Sequence, residues 1–206
     1  GTRHLLLERP IPDAILANPP ERCYLCKRAL FGELLSIARA EGLATLLEGS
    51  NADDLLELRP GFRAVQELGV QSPLLAAGLV KAEIRRLARA QGLAVWNRPS
   101  GSCLLTRLPH GATVTEAALR RIDAGEGLLR SLGFLQLRLR SHGELARIEV
   151  PPEDLPRLLE AELRTVVVTR LRSLGYRYVT LDLALDQPGR CSLPAGLSAG
   201  GPRQGA

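Results

Sequence analysis

Cys23 and Cys26 are separated by two residues in NPPERCYLCKRALF (18–31), immediately before a run of helical periodicity. That spacing lets both sulfurs reach one metal, and helix N-terminal amides favour the thiolate form a ligand needs. A third cysteine, Cys103, stands in RPSGSCLLTRLPHG, and a fourth, Cys191, near the end of the sequence. A structural zinc site takes four ligands and would require Cys103 with Cys191 or a histidine. An iron–sulfur cube can use three cysteines and leave one iron open to bind something else. The plain alternative is that free thiols pack as small apolar groups, which weighs more for Cys103 alone than for the pair. Arg107, close to Cys103 in sequence, is a cation that would lower the thiol pKa. His110 reads as a solvated loop residue.

Two further groups could do chemistry. GSNADDLLELRPG (49–61) carries Asp53, Asp54 and Arg59. Loops at the ends of parallel strands are where ligands bind, so these aspartates could hold magnesium on a nucleotide and Arg59 could touch phosphate. The bland reading is a solvated acidic loop. FLQLRLR and LARIEV both alternate around SHGE, which predicts a hairpin centred on His142 and Gly143. Its pairing would set Arg140 against Leu145, Arg138 against Arg147 and Gln136 against Glu149. Leu139, Ala146 and Ile148 then share an apolar face, while Arg138, Arg140, Arg147 and Glu149 share the other. Like charges directly opposite are unfavourable, so either the arginines splay into water or an anion sits between them. Glu149 and Glu126 would supply carboxylates for a metal or for orienting the arginines.

The elements that must position these residues read as follows. RHLLLE (3–8), LATLL (43–47) and LAVW (93–96) are strand candidates, and helices are predicted over Lys27–Glu41, around 62–68 and over Lys81–Gln91. Strand and helix alternate, the pattern of a parallel α/β sheet. Val80 stands where a hydroxyl would complete a capping box with Glu83, a loss of roughly 1 kcal/mol. A boundary falls in the Pro- and Gly-punctuated loop after residue 96. Beyond it come a helix capped by Thr113 with Glu116, the hairpin, helices over 153–162 and 164–174, and a strand over 176–183. The domains expected are therefore 1–96, 97–187 and a Gly-, Pro- and Ser-rich tail, 188–206, expected to be disordered. With 45% hydrophobic and 24% charged residues, the composition is that of a soluble globular protein, and the net charge of +5 suits a protein handling anions. No run of 18 apolar residues occurs, and without a signal peptide the expected location is the cytoplasm, where thiols stay reduced.

The ordered set NPPERCYLCKRALF, EGSNADD, RPGFRA, GVQSPLL, KAEIRRLA, SCLLTRLPHG and LRLRSHGELARIEV followed by YRYVTLDL resembles the LarE family of ATP-dependent sulfur transferases. The likeness runs from about residue 3 to residue 193. It implies a PP-loop ATP pyrophosphatase (adenine nucleotide alpha hydrolase-like) parallel-sheet domain followed by a smaller α+β domain. The implied reaction adenylates a carboxylate of pyridinium-3,5-biscarboxylic acid mononucleotide, releases pyrophosphate and replaces the adenylate with sulfur, in the biosynthesis of the nickel-pincer nucleotide cofactor. One branch of the family sacrifices the sulfur of a cysteine at the position of Cys103. The other holds a 4Fe-4S cluster on three cysteines, and Cys23 and Cys26 beside Cys103 resemble that branch. The resemblance also implies ATP and Mg2+ at Asn51, Asp53, Asp54 and Arg59, and substrate phosphate and metal near Arg107, Arg138, Arg140, Glu126 and Glu149.

The family's SGGxDS loop does not occur in these 206 residues, so a missing N-terminal portion or a truncated gene product is expected. The partners expected are a small-molecule mononucleotide and a second copy of the chain, with no membrane and no nucleic acid. The competing expectations are a PP-loop enzyme that thiolates tRNA, and an inactive remnant that binds nucleotide or metal.

Overall fold

A computed structural model describes residues 3–56, 60–98 and 101–183. The chain divides into two compact units, residues 1–100 and 101–206, each taken by itself below. The expected tail, with Cys191, lies outside the described residues, as does Arg59.

The first unit is helical. α1 (Arg22–Ala40) begins five residues before the predicted start at Lys27. The Arg22 amide donates to the Pro19 carbonyl at 3.0 Å and the Leu25 amide to that of Glu21 at 3.0 Å. The two prolines therefore lead straight into the helix, and both cysteines lie inside its first two turns. Gly42, at φ 72°, ends it. Phe31 and Leu34 pack against α2 (Pro60–Glu67) through Val65 and Phe62, with Val70 beyond. A one-turn α3 (Pro73–Ala76) leads to α4 (Lys81–Ala90). Val80 brings no hydroxyl to this helix start, but two carboxylates bind neighbouring amides. Glu83 Oε2 accepts from the Val80 amide at 3.2 Å, and Asp53 Oδ2 accepts from the Lys81 amide at 2.9 Å.

The parallel sheet expected in this unit is absent among the described residues. Residues 3–8 form no strand, 93–96 form turns, and 43–47 contribute one parallel bridge, Leu47 to Gln71. A strand requires a neighbour to accept its backbone groups, and apolar sequence alone cannot supply one. These segments accordingly show their side chains to solvent: Leu6 is 75% exposed and Leu43 60%.

The second unit is α/β. α5 (Glu116–Ser131) is capped by Thr115, whose hydroxyl accepts from the Ala118 amide at 3.1 Å. The cap lies two residues beyond the predicted Thr113, and with Ala118 at the third position the expected box does not form. Gly133, at φ 93°, closes the helix. β1 (Arg138–His142) and β2 (Leu145–Glu149) form the hairpin, and β3 (Tyr178–Leu181) joins β2 in parallel after α6 (Leu155–Leu159) and α7 (Ala161–Ser173). The register differs from the prediction: Arg138 faces Glu149, Arg140 faces Arg147 and His142 faces Leu145. The turn is Gly143–Glu144, with Gly143 at φ 63° in the first central position, where a two-residue hairpin turn requires glycine. Because the pairing moved by two residues, both faces kept their predicted members.

The apolar face is the core. Leu139, Ala146 and Ile148 pack with Leu129, Phe134, Val167, Leu171 and Tyr176. α5 crosses it at Gly125, where an added Cβ would overlap a δ-methyl of Leu139 and meet one of Leu171 at 3.2 Å. Gly125→Ala is therefore expected to destabilise by roughly 1–3 kcal/mol through overpacking, despite the better helix propensity of alanine. Chemical denaturation would check this, and a variant more stable than the parent would contradict the close approach.

Candidate functional site

The polar face of the hairpin carries a charged network built outward from Glu126. This carboxylate lies on α5, on the same side as Ile122 and Leu129, and has no exposed surface. Glu126 Oε1 accepts from Arg107 Nε at 2.5 Å and from the Leu139 amide at 3.1 Å, while Oε2 accepts from Arg130 at 2.6 Å. Arg107 is itself 4% exposed. A buried carboxylate in that company holds two cations and an edge amide in place.

Arg107 also donates to the Ser102 hydroxyl at 2.6 Å and to that of Thr106 at 2.8 Å. The Thr106 amide and hydroxyl both donate to the Cys103 carbonyl, at 2.9 and 2.7 Å. Arg140, buried, donates to the Thr106 carbonyl at 2.7 Å and to Glu149 at 2.7 Å. The loop of Cys103 is thus pinned by two arginines, and its thiol is left exposed. Arg147 continues the network to Glu149 at 3.3 Å and to Asp182 at 3.4 Å.

Five guanidinium groups, Arg107, Arg130, Arg138, Arg140 and Arg147, face three carboxylates, Glu126, Glu149 and Asp182. Arg138 is the one without an ion pair among the described residues. Burial, followed by the charges of Arg140 and Arg107, lowers its pKa from the ordinary arginine value. A half-buried cation beside two others is relieved by an incoming anion, and a guanidinium fork suits phosphate or carboxylate.

In the first unit, Cys23 is exposed and Cys26 half-buried, three residues apart on α1 and so on one side of it. Behind them Asn18, fully buried at φ 47°, accepts from Arg22 at 2.9 Å, which fixes the entry to the helix. The start of α2 is pressed close by, where a Cβ on Gly61 would come within 3.3 Å of the Cys23 carbonyl. Two thiols at this spacing are a soft donor set, fit for iron–sulfur or zinc rather than for hard cations. Among the described residues, neither unit by itself gathers three metal-binding side chains.

The acidic loop is stitched into the fold. Asn51 Oδ1 accepts from the Asp53 amide at 3.1 Å, Asp54 Oδ2 accepts from the Asn51 amide at 3.0 Å, and Asp53 caps α4 as described. These contacts shape the turn and give Asp53 and Asp54 structural work in addition to any ligand.

The sequence does not mark Asn18, Arg22, Ser102, Thr106 or Arg130, and it marks His142 only as a turn residue. Asn18 and Arg22 flank a double proline directly ahead of Cys23, and that was the available signal. Among the described residues, no helix is long and apolar enough to cross a membrane.

No family model matches the chain. It is 40% identical over 174 residues to an uncharacterized protein of Synechocystis sp., covering 84% of this chain and 65% of the relative. It is 38% identical over 178 residues to the pyridinium-3,5-bisthiocarboxylic acid mononucleotide synthase of Lactiplantibacillus plantarum, covering 86% of this chain and 64% of that protein. An uncharacterized protein of Methanocaldococcus jannaschii is 30% identical over 173 residues, 84% of this chain and 67% of its own length. The chain thus spans just under two thirds of the first two relatives.

Proposed function

We propose that the chain is a LarE-like sulfur transferase acting on pyridinium-3,5-biscarboxylic acid mononucleotide, a reading supported by its 38% identity to the synthase of Lactiplantibacillus plantarum. In this reading ATP adenylates a substrate carboxylate with release of pyrophosphate, and sulfide then displaces AMP to leave a thiocarboxylate. The observation that carries the reading is the joint placement of an exposed thiol and a surplus of arginine. The loop of Cys103 is tied to Arg107 and Arg140, the partners of Arg138 in one cationic cluster.

In this reading each residue has a task. Arg138 takes the substrate phosphate. Arg140 and Arg107 frame it, held in place by Glu149 and Glu126. Asn51, Asp53 and Asp54 belong to the ATP and magnesium side of the reaction. Cys23, Cys26 and Cys103 would hold a four-iron, four-sulfur cluster, which supplies the sulfide when bound. The arginines form a compact group on one hairpin face, which fits a single phosphate better than the extended backbone of a tRNA.

Arg138→Ala is expected to weaken binding of the mononucleotide roughly 10- to 100-fold, the worth of one charge-assisted contact, with the melting temperature unchanged. Calorimetric titration of wild type and variant would check this. Equal affinities would return the hairpin to an ordinary solvated surface.

A further inference from the structure

His142 ends β1 on the same face as Arg138 and Arg140, and across the hairpin that face continues through Arg147 and Glu149. Its Nε2 is buried and has no hydrogen-bond partner among the described residues. A buried ring nitrogen left without a partner is costly and calls for water, an ion or another polar group. The charges acting on it are Arg140 on β1 and Arg147 and Glu149 on β2. Asp182, after β3, pairs with Arg147, and Glu144 in the turn lies 4.0 Å from Arg177.

We propose that His142 is a further anion-binding residue of the arginine cluster, donating from Nε2 in its protonated form, so that anion affinity rises as pH falls. The inference rests on the reading of that cluster as the substrate-phosphate site. Burial, then the charges of Arg147 and Arg140, hold the His142 pKa below its ordinary 6.5. A bound dianion offsets those charges, so binding and proton uptake favour each other. The sign follows from linkage. Below the free pKa the ring is already charged and affinity is greatest. Between the free and the bound pKa affinity falls as pH rises, and above the bound pKa the ring contributes no charge.

Sulfate is the suitable probe, because it stays a dianion while a phosphate monoester titrates in the same range. Sulfate affinity of wild-type protein, measured between about pH 5 and 8, is expected to rise several-fold toward the acid end. His142→Gln should remove that slope and keep the weaker alkaline affinity. NMR titration of the ring gives a second reading on unmodified protein: the His142 pKa should increase when sulfate is added. Affinity that is independent of pH in wild type, an unchanged slope in the glutamine variant, or a ring pKa indifferent to sulfate would overturn the role of His142 and leave the arginine site standing. No sulfate binding at any pH, in wild type as in Arg138→Ala, would overturn both.

Discussion

Glu126→Ala is expected to cost the second unit roughly 3–5 kcal/mol, because it removes the carboxylate that neutralises a buried guanidinium. Arg107 is 4% exposed and cannot turn to water, and Leu139 loses the acceptor for its amide. For a unit of this size the loss corresponds to a fall in melting temperature of about 15–30 °C, or to failure to fold. Glu126→Gln keeps the shape and one acceptor oxygen, so it should fall between the parent and the alanine variant. Thermal denaturation of metal-free protein measures both. The result also separates two roles. A carboxylate reserved for a metal would leave the metal-free protein indifferent to its removal, or even stabilised by it. A melting temperature within a few degrees of the parent would mean that Arg107 and Arg130 do not depend on Glu126.

The second large effect is on the thiol pair. Cys23→Ala should abolish stable iron–sulfur loading while leaving helical content and melting temperature as they were. Cys23 is exposed on the first turn of α1, and alanine is a good helix former, so nothing in the packing resists the change. Loss of iron could then be assigned to a lost ligand. Anaerobic reconstitution with iron and sulfide, followed by visible absorbance and circular dichroism on the same sample, reads both halves of the prediction. If the variant retained the cluster and transferred sulfur, Cys23 would not be a ligand. Cys103→Ala should behave in the same way, since that thiol too is exposed.

What the sequence made legible follows the range over which each signal acts. The two faces of the hairpin were readable because strand side chains alternate with period two, and the same parity survived a wrong register. The register itself depended on which residues form the turn. Gly143 and Glu144 do, rather than His142 and Gly143, and this moved Glu149 opposite Arg138. The periodicity locates α1 but starts it at Lys27, since it reports the apolar face and not the first two turns that hold the cysteines. The three strands expected in the first unit failed for a different reason. Leu5 to Leu7, Leu43 to Leu47 and Leu93 to Val95 have the composition of strands, but pairing is a property of neighbours.

Glu126 was named from sequence, but its partners were not. Arg107 lies 19 residues away and Leu139 lies 13 away, on different elements. Only the packing of α5 across β1 brings them together. Arg138 stands out for the complementary reason: its neighbours Arg107 and Arg140 have found carboxylates and it has none among the described residues. That asymmetry could not be counted before the network was seen.

Iron and acid-labile sulfide analysis of the anaerobically reconstituted wild-type chain bears most directly on the proposal that Cys23, Cys26 and Cys103 hold one inorganic centre. The account predicts about four irons and four sulfides per chain, as a cube on three thiolates requires, with one iron open to exogenous ligands. Stoichiometric zinc with no uptake of iron, or iron content unaffected by removal of Cys103, would contradict it.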